Sequence, residues 1–350
     1  MPKEGLMARA TILSIDGGGI RGIIPARIIA EIERRTKYPA SKLFDLIAGT
    51  STGGIIALAL AAPTEPGGSE PKYGAQHMVE LYEQNGPTIF SRSLGHAATS
   101  LCGLLGPKYE AKGIEGVLHR YFGEFRLHDA LTKVLVTSYN TQGPAPVFFK
   151  SWRAKPIETG WTESLRNRFD LRLREIARAT SAAPTFFPPL ELPDLAFGKP
   201  DMCLIDGGVF ANNPAMCAWA EAPQLFRGVE EFIVVSIGTG NDEDQVPYAH
   251  AKGWGLAQWA RPLVKILLDG VSDTVDYQMQ QRLQPALGRK YYRFQGDLEG
   301  RTAMDDASEE NIMALLRVAE QIISRQESML ATVCAELTKT VPDHPGKAAA

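Results

Sequence analysis

Two glycine turns about thirty residues apart constrain this chain more than anything else in it: Asp16-Gly17-Gly18-Gly19-Ile20-Arg21-Gly22 and Gly49-Thr50-Ser51-Thr52-Gly53. A short apolar run precedes each turn, residues 10–15 and 43–48. A helical pattern follows each: residues 24–35, with Ile24, Ile28, Ile29 and Ile32 on one face, and the wholly apolar residues 54–62. An apolar run closed by glycine and followed by 3.6-residue periodicity reads strand, turn, helix. Pro25 suits the first helical turn, where a missing N–H costs nothing. Residues 54–62 have no polar face, so that helix is expected to be buried on all sides.

The same alternation continues. Residues 133–138 and 147–151 read as neighbouring strands across a Gly-Pro turn, 173–179 as a helix, and 203–205 and 232–237 as short strands closed by glycine. Between the last two, Asn213 is a plausible cap for a helix starting at Pro214. Residues 63–75 are loop, and 77–127 read as several short helices broken at Pro87, Gly95, Gly103 and Pro107, expected as an outer layer rather than a cap over a site. Two long amphipathic helices follow. Leu256, Trp259, Leu263, Ile266, Leu267 and Gly270 share a face of the first; Ile312, Leu315, Leu316, Ala319, Ile322 and Ile323 share a face of the second, after the box-like start Asp306-x-x-Glu309. Both faces are expected against the sheet; the rival reading puts Trp254, Leu256, Trp259 and Leu263 at a membrane surface. Strands alternating with helices predict an α/β fold with a mainly parallel central sheet covered on both faces.

At 350 residues the chain can bury a large core. Its 37 Lys+Arg against 40 Asp+Glu leave no basic excess, which argues against a nucleic-acid polymer as partner. Cys102, Cys203, Cys217 and Cys334 have neither CxxC nor metal-ligand spacing, so they read as free or buried thiols of a reducing compartment. No apolar signal core precedes residue 10, and no run approaches the roughly 18 apolar residues of a membrane span. The expectation is a cytoplasmic protein with at most peripheral contact at the inner membrane face.

A serine attacks an acyl carbon only if something takes its proton and something holds the oxyanion. Gly49 and Gly53 permit the tight turn that lifts the Ser51 hydroxyl out at a strand end. The same turn, taken alone, also suits a phosphate. Gly17, Gly18 and Gly19 let backbone N–H groups converge without side chains, as an oxyanion hole or phosphate nest requires. Gly17-x-Gly19-x-x-Gly22 also matches the dinucleotide fingerprint, but that reading needs an acidic residue ending the second strand; Asp45 precedes Ile47, and the Ser51 turn occupies the exit. For a base, His250 sits in a polar loop and His344 in the tail, while His77, His96, His119 and His128 lie in helical or surface-like stretches. Asp206, by contrast, ends an apolar strand and precedes Gly207-Gly208; burial there would raise its pKa toward that of a useful base.

Taken together, Asp16 to Gly22, Gly49 to Gly53 and Asp206-Gly207-Gly208 resemble the oxyanion loop, nucleophile elbow and catalytic aspartate motif of the patatin-like phospholipases. Residues 180–189, Asn212-Asn213-Pro214, 236–240 and 304–308 also look like family segments. The resemblance covers residues 10–335 as one domain and leaves 336–350 as a flexible tail. It implies a three-layer α/β/α patatin-like fold and a phospholipase A or lysophospholipase using a Ser51-Asp206 dyad, with Gly17 to Gly19 as oxyanion hole and no metal or other cofactor. It further implies Arg21 as a basic contact for the lipid phosphate. Two other classes stay open at this point: a phospholipase effector of bacterial antiphage defence, switched on and assembled into homo-oligomers by a cyclic nucleotide activator, and a non-enzymatic lipid-binding or storage protein.

Overall fold

The computed structural model describes residues 9–91, 106–155, 169–193, 201–241, 246–283, 289–298 and 303–340. Among them, eight strands form one sheet: β1 (Arg9–Ile15), β2 (Leu46–Thr50), β3 (Lys133–Asn140), β4 (Ala145–Lys150), β5 (Leu190–Leu192), β6 (Met202–Asp206), β7 (Glu231–Ile237) and β8 (Arg289–Phe294). The five strands β3-β2-β1-β7-β8 are all parallel, while β4, β5 and β6 add antiparallel pairs at the β3 end.

The strands alternate between two cores, as the two-residue period of a strand requires. Leu13, Ile15, Ile47, Val136 and Val235 face one, and Ile12, Leu46, Ala48, Leu135 and Val234 the other. The first core is covered by α1 (Ile23–Thr36), α2 (Thr52–Ala61), α3 (Ala75–Ile89), α4 (Ala111–Phe122), α5 (Leu173–Thr180), α8 (Glu309–Arg325) and α9 (Glu327–Thr338), the second by α6 (Ala215–Leu225) and α7 (Leu256–Arg282). This is a three-layer α/β/α arrangement, and α2, TGGIIALALA, is buried along its whole length.

Several expectations need correction. β2 begins at Leu46, because residues 40–43 form a helical turn whose Lys42 and Leu43 N–H groups donate to Pro39 O; a short apolar run does not distinguish the two. Pro87 lies inside α3 and does not end it. α6 starts at Ala215, although Asn213 Oδ1 still accepts from Ala215 N at 3.0 Å. The cap of α8 is Ser308, whose Oγ accepts from Asn311 N, rather than an Asp306–Glu309 box. The apolar face read off α7 does not pack on the sheet: Leu263, Ile266 and Leu267 are exposed, and the helix turns Ser272 and Met279 inward instead. Trp254 and Trp259 are half-buried edge-to-face against each other, and the Leu256 side chain lies outside the described residues. Helix α9 continues to Thr338, past the expected domain end, and residues 341–350 lie outside the described residues, as do Cys102, His96, His344, Gly95 and Gly103. Cys203, Cys217 and Cys334 are free.

Candidate active site

The sheet register brings two distant segments together. β4 occupies one side of β3 along residues 135–140, which leaves β2 and β6 to share the other. Thr50, the last residue of β2, lies opposite Thr137, and Asp206, the last residue of β6, lies opposite the next residue, Ser138. The two strand ends abut, and the Ser51 Oγ donates to Asp206 Oδ2 at 2.6 Å.

Ser51 occupies φ 55, ψ −124, a backbone conformation that L-residues avoid. Its neighbours hold it there. A Cβ on Gly49 would lie 2.1 Å from Gly53 O, and one on Gly53 would lie 2.2 Å from Ile15 O, so the turn closes only on glycine at both positions. Ser51 N donates to Thr180 Oγ1 at 2.8 Å, and Thr50 Oγ1 to Ala211 O at 2.6 Å. The result is a hydroxyl raised above the sheet, at the N-terminus of α2, where the helix dipole favours negative charge.

Asp206 is 4% exposed. Its second oxygen, Oδ1, accepts from Gly208 N at 2.7 Å, which fixes the carboxyl plane. Burial pushes the carboxyl up to about 7, and the hydrogen bonds from Ser51 and Gly208 pull the other way.

The glycine loop is pinned from four directions. Gly17 N donates to Asn212 O at 3.0 Å, Thr239 Oγ1 donates to Gly17 O at 2.8 Å, and Ile20 N donates to Met304 O at 2.8 Å. Before it, Asp16 receives two prongs from the Arg293 guanidinium, at 3.0 and 2.6 Å, and Arg293 also donates to Ser236 Oγ at 2.8 Å. The expectation of three inward-facing donors therefore narrows: the N–H of Gly17 is spent on Asn212. Gly18 N and Gly19 N have no hydrogen-bond partner among the described residues, and both residues line one cavity with Ser51 and Asp206. Gly19 has φ +60, and a Cβ there would lie 2.2 Å from Met304 O.

The rest of that cavity is mostly apolar, with Thr52, Tyr82, Ser181 and Asn212 among its lining. Ile55 of α2, Leu81 and Ile89 of α3, Ile114, Val117 and Leu118 of α4, Phe186 and Phe187, and Leu267 and Leu268 of α7 form its walls. The segment expected as an outer layer is thus a wall of the chamber. Arg21 does not reach it: the residue is 7% exposed and absent from the lining. No histidine lines the chamber among the described residues. His77 accepts from Gly74 N, His128 pairs with Asp170, His119 meets Arg174, and His250 is exposed.

Sequence reading named Ser51, Asp206 and the glycines but missed their supports. Thr180, Asn212, Thr239 and Met304 sit in segments flagged only for resemblance, while Arg293 belonged to no motif; its one signal is a cation inside the β8 run RKYYRF, otherwise aromatic or basic. Chemically, a serine hydroxyl bonded to a carboxylate poised near neutrality, lining one mostly apolar chamber with two glycines whose N–H groups have no partner among the described residues, suits attack on an ester carrying a long hydrocarbon. Among the described residues no three His, Cys, Asp or Glu gather as a metal ligand set, and no helix is long and apolar enough to cross a membrane.

A family profile described as patatin-like phospholipase matches residues 13–219. Patatin-like protein 1 of Oryza sativa subsp. indica is 35% identical over 352 residues, covering 91% of this chain and 82% of its own length. "Probable inactive patatin-3-Kuras 1" of Solanum tuberosum is 32% identical over 345 residues, covering 91% and 87%. The solved human GIVD cytosolic phospholipase A2 superposes with a TM-score of 0.46 at 13% identity, over 95% of this chain and 60% of that one.

Proposed function

Because the chain belongs to the patatin-like phospholipase family, we propose that it hydrolyses the acyl esters of phospholipids or lysophospholipids through Ser51 and Asp206, with Gly18 and Gly19 holding the oxyanion. Membership alone does not carry activity, since a relative of similar identity bears a name that begins "Probable inactive". The observation that carries the reading is the 2.6 Å contact from Ser51 Oγ to Asp206 Oδ2.

In the proposed sequence, Ser51 Oγ bonds to the ester carbon as its proton passes to Asp206, and the carbonyl oxygen becomes an anion facing the N–H groups of Gly18 and Gly19. Collapse of that adduct breaks the ester C–O bond, and the leaving alcohol takes the proton from Asp206. Water then attacks the acyl-Ser51 ester while Asp206 accepts its proton; the second collapse releases the fatty acid and returns the proton to Ser51. The apolar walls accept the acyl chain. Thr239, Arg293 and Met304 lie beyond the matched residues yet hold the glycine loop, which supports reading residues 10–335 as one catalytic domain.

The test is fatty-acid release from phospholipid vesicles, paired with a fluorophosphonate probe read by intact mass and peptide mapping. The expected result is release without any added nucleotide and a single adduct on Ser51. Lipid binding without turnover or adduct would make this a lipid-binding protein. Release only after a cyclic dinucleotide is added would make it a ligand-gated effector.

The acidity of Asp206 gives two opposite pH effects. As a base it must be ionised, so kcat/KM is expected to rise with pH and level off above an apparent pKa near 7. For the fold the sign reverses. A carboxyl raised from 3.8 to about 7 contributes stability that is complete below pH 4 and lost as pH rises through 7. Asp206→Asn is therefore expected to be inactive but more stable than wild type at pH 8, by about 2–4 kcal/mol, with the advantage gone at pH 4. Urea unfolding at the two pH values checks it.

A further inference from the structure

Helix α7 exposes an apolar stripe that the chamber does not account for. Leu263, Ile266, Leu267 and Tyr277 are 47%, 44%, 50% and 65% exposed. At 3.6 residues per turn they fall on one face with Gly270, along roughly 20 Å of helix. A Cβ at Gly270 would meet nothing within 4 Å, so the face is open there as well. The opposite face, carrying Ser272 and Met279, is the buried one.

We propose that this stripe of α7 is a docking surface for a neutral lipid bilayer, from which an ester passes over Leu267 into the Ser51 chamber. The proposal rests on the lipid-hydrolase reading and adds where the enzyme meets its substrate. Its first support is continuity. Leu267 is half exposed on the stripe and also lines the chamber, next to Leu268. A lipid tail leaving a bilayer at this helix keeps apolar contact from one to the other. The second is charge: exposed Asp273 borders the stripe on one side, which favours a zwitterionic over an anionic surface. Another copy of the chain seated on the stripe would instead cover Leu267 at the chamber wall. Interfacial binding scales with the apolar area inserted, so removing two branched side chains from the N-terminal half of the stripe tests it directly.

Leu263→Glu/Ile266→Glu changes two exposed residues outside the chamber lining. Three readouts are needed: co-sedimentation with phosphatidylcholine vesicles, fatty-acid release from them, and hydrolysis of monomeric p-nitrophenyl butyrate. The variant is expected to lose about tenfold or more in vesicle binding and release while keeping its rate on the soluble ester, which also certifies its fold. Binding and release within twofold of wild type would overturn the proposal. So would a wild type that ignores neutral vesicles, or one that binds only after phosphatidylserine is added. A wild-type dimer in sedimentation velocity that the variant splits would overturn it in favour of self-association. A wild type that binds vesicles through the stripe yet hydrolyses neither substrate would sink the enzymatic reading and leave the surface standing.

Discussion

Replacing Ser51 with alanine is expected to lower kcat on p-nitrophenyl butyrate by about 10⁴-fold or more, and Asp206→Asn to do comparable damage. The more telling result is the double variant, which should be no worse than either single one. Each side chain is useless without the other: an alanine offers no oxygen to attack, and a serine facing an amide has no acceptor for its proton. Groups that act as one unit lose their contribution once, so the two effects should not multiply. A double variant that lost the product of both factors would mean that serine and aspartate act independently, and the 2.6 Å contact would then be a structural hydrogen bond. Residual turnover above the uncatalysed rate is expected, since under the proposed mechanism Gly18 and Gly19 would remain to polarise the carbonyl.

Arg293→Leu should be among the most destabilising single changes in the molecule, by about 3–5 kcal/mol, and Asp16→Asn should approach it. Both groups are taken out of water, with Asp16 2% exposed and side-chain exposure at Arg293 only 12%, and each is the other's charge partner. Burial raises the Asp16 carboxyl and the guanidinium opposes it, the two-pronged geometry being that of an ionised pair. Removing one partner strands a buried charge, whereas removing both does not. Asp16→Leu/Arg293→Leu is accordingly expected to recover most of the stability lost by Arg293→Leu, as read by urea midpoint. It should not recover activity, because the pair also anchors the residue before Gly17. If the double variant hydrolysed ester at the wild-type rate, the pair would serve the fold alone.

Local pattern carried the parts of this molecule that local chemistry dictates. The turns around Gly19 and Ser51 were legible because only glycine tolerates Met304 O or Gly53 O at about 2 Å from where a Cβ would stand, and such turns leave glycine in the sequence. Asp206 was legible only in company: alone, Asp-Gly-Gly at a strand end is most often a turn, and it gained its force from coinciding with the two glycine turns. What failed was pairing and direction. Helix α7 is apolar on two faces, and periodicity gave the face without saying which way it turned. Arg21 follows the glycines but is folded inward, away from the chamber wall. The N–H of Gly17 is spent on a carbonyl 195 residues later, at Asn212, and no window on the sequence contains both.

The meeting of β2 and β6 along one side of β3 also sets an order of assembly. Ser51 is made early, but its partner lies 155 residues further on, and the groups that pin the glycine loop come from Asn212, Thr239, Arg293 and Met304. Such long-range contacts form late, after loop closure has been overcome. On the proposed mechanism, a chain emerging from the ribosome carries its serine for 155 residues before its proton acceptor follows, and for longer still before the groups that anchor the glycine loop are made. If the proposed mechanism holds, hydrolysis is withheld until the far end of the sheet has joined the near end, and a half-made or truncated chain is expected to be harmless to the lipids around it.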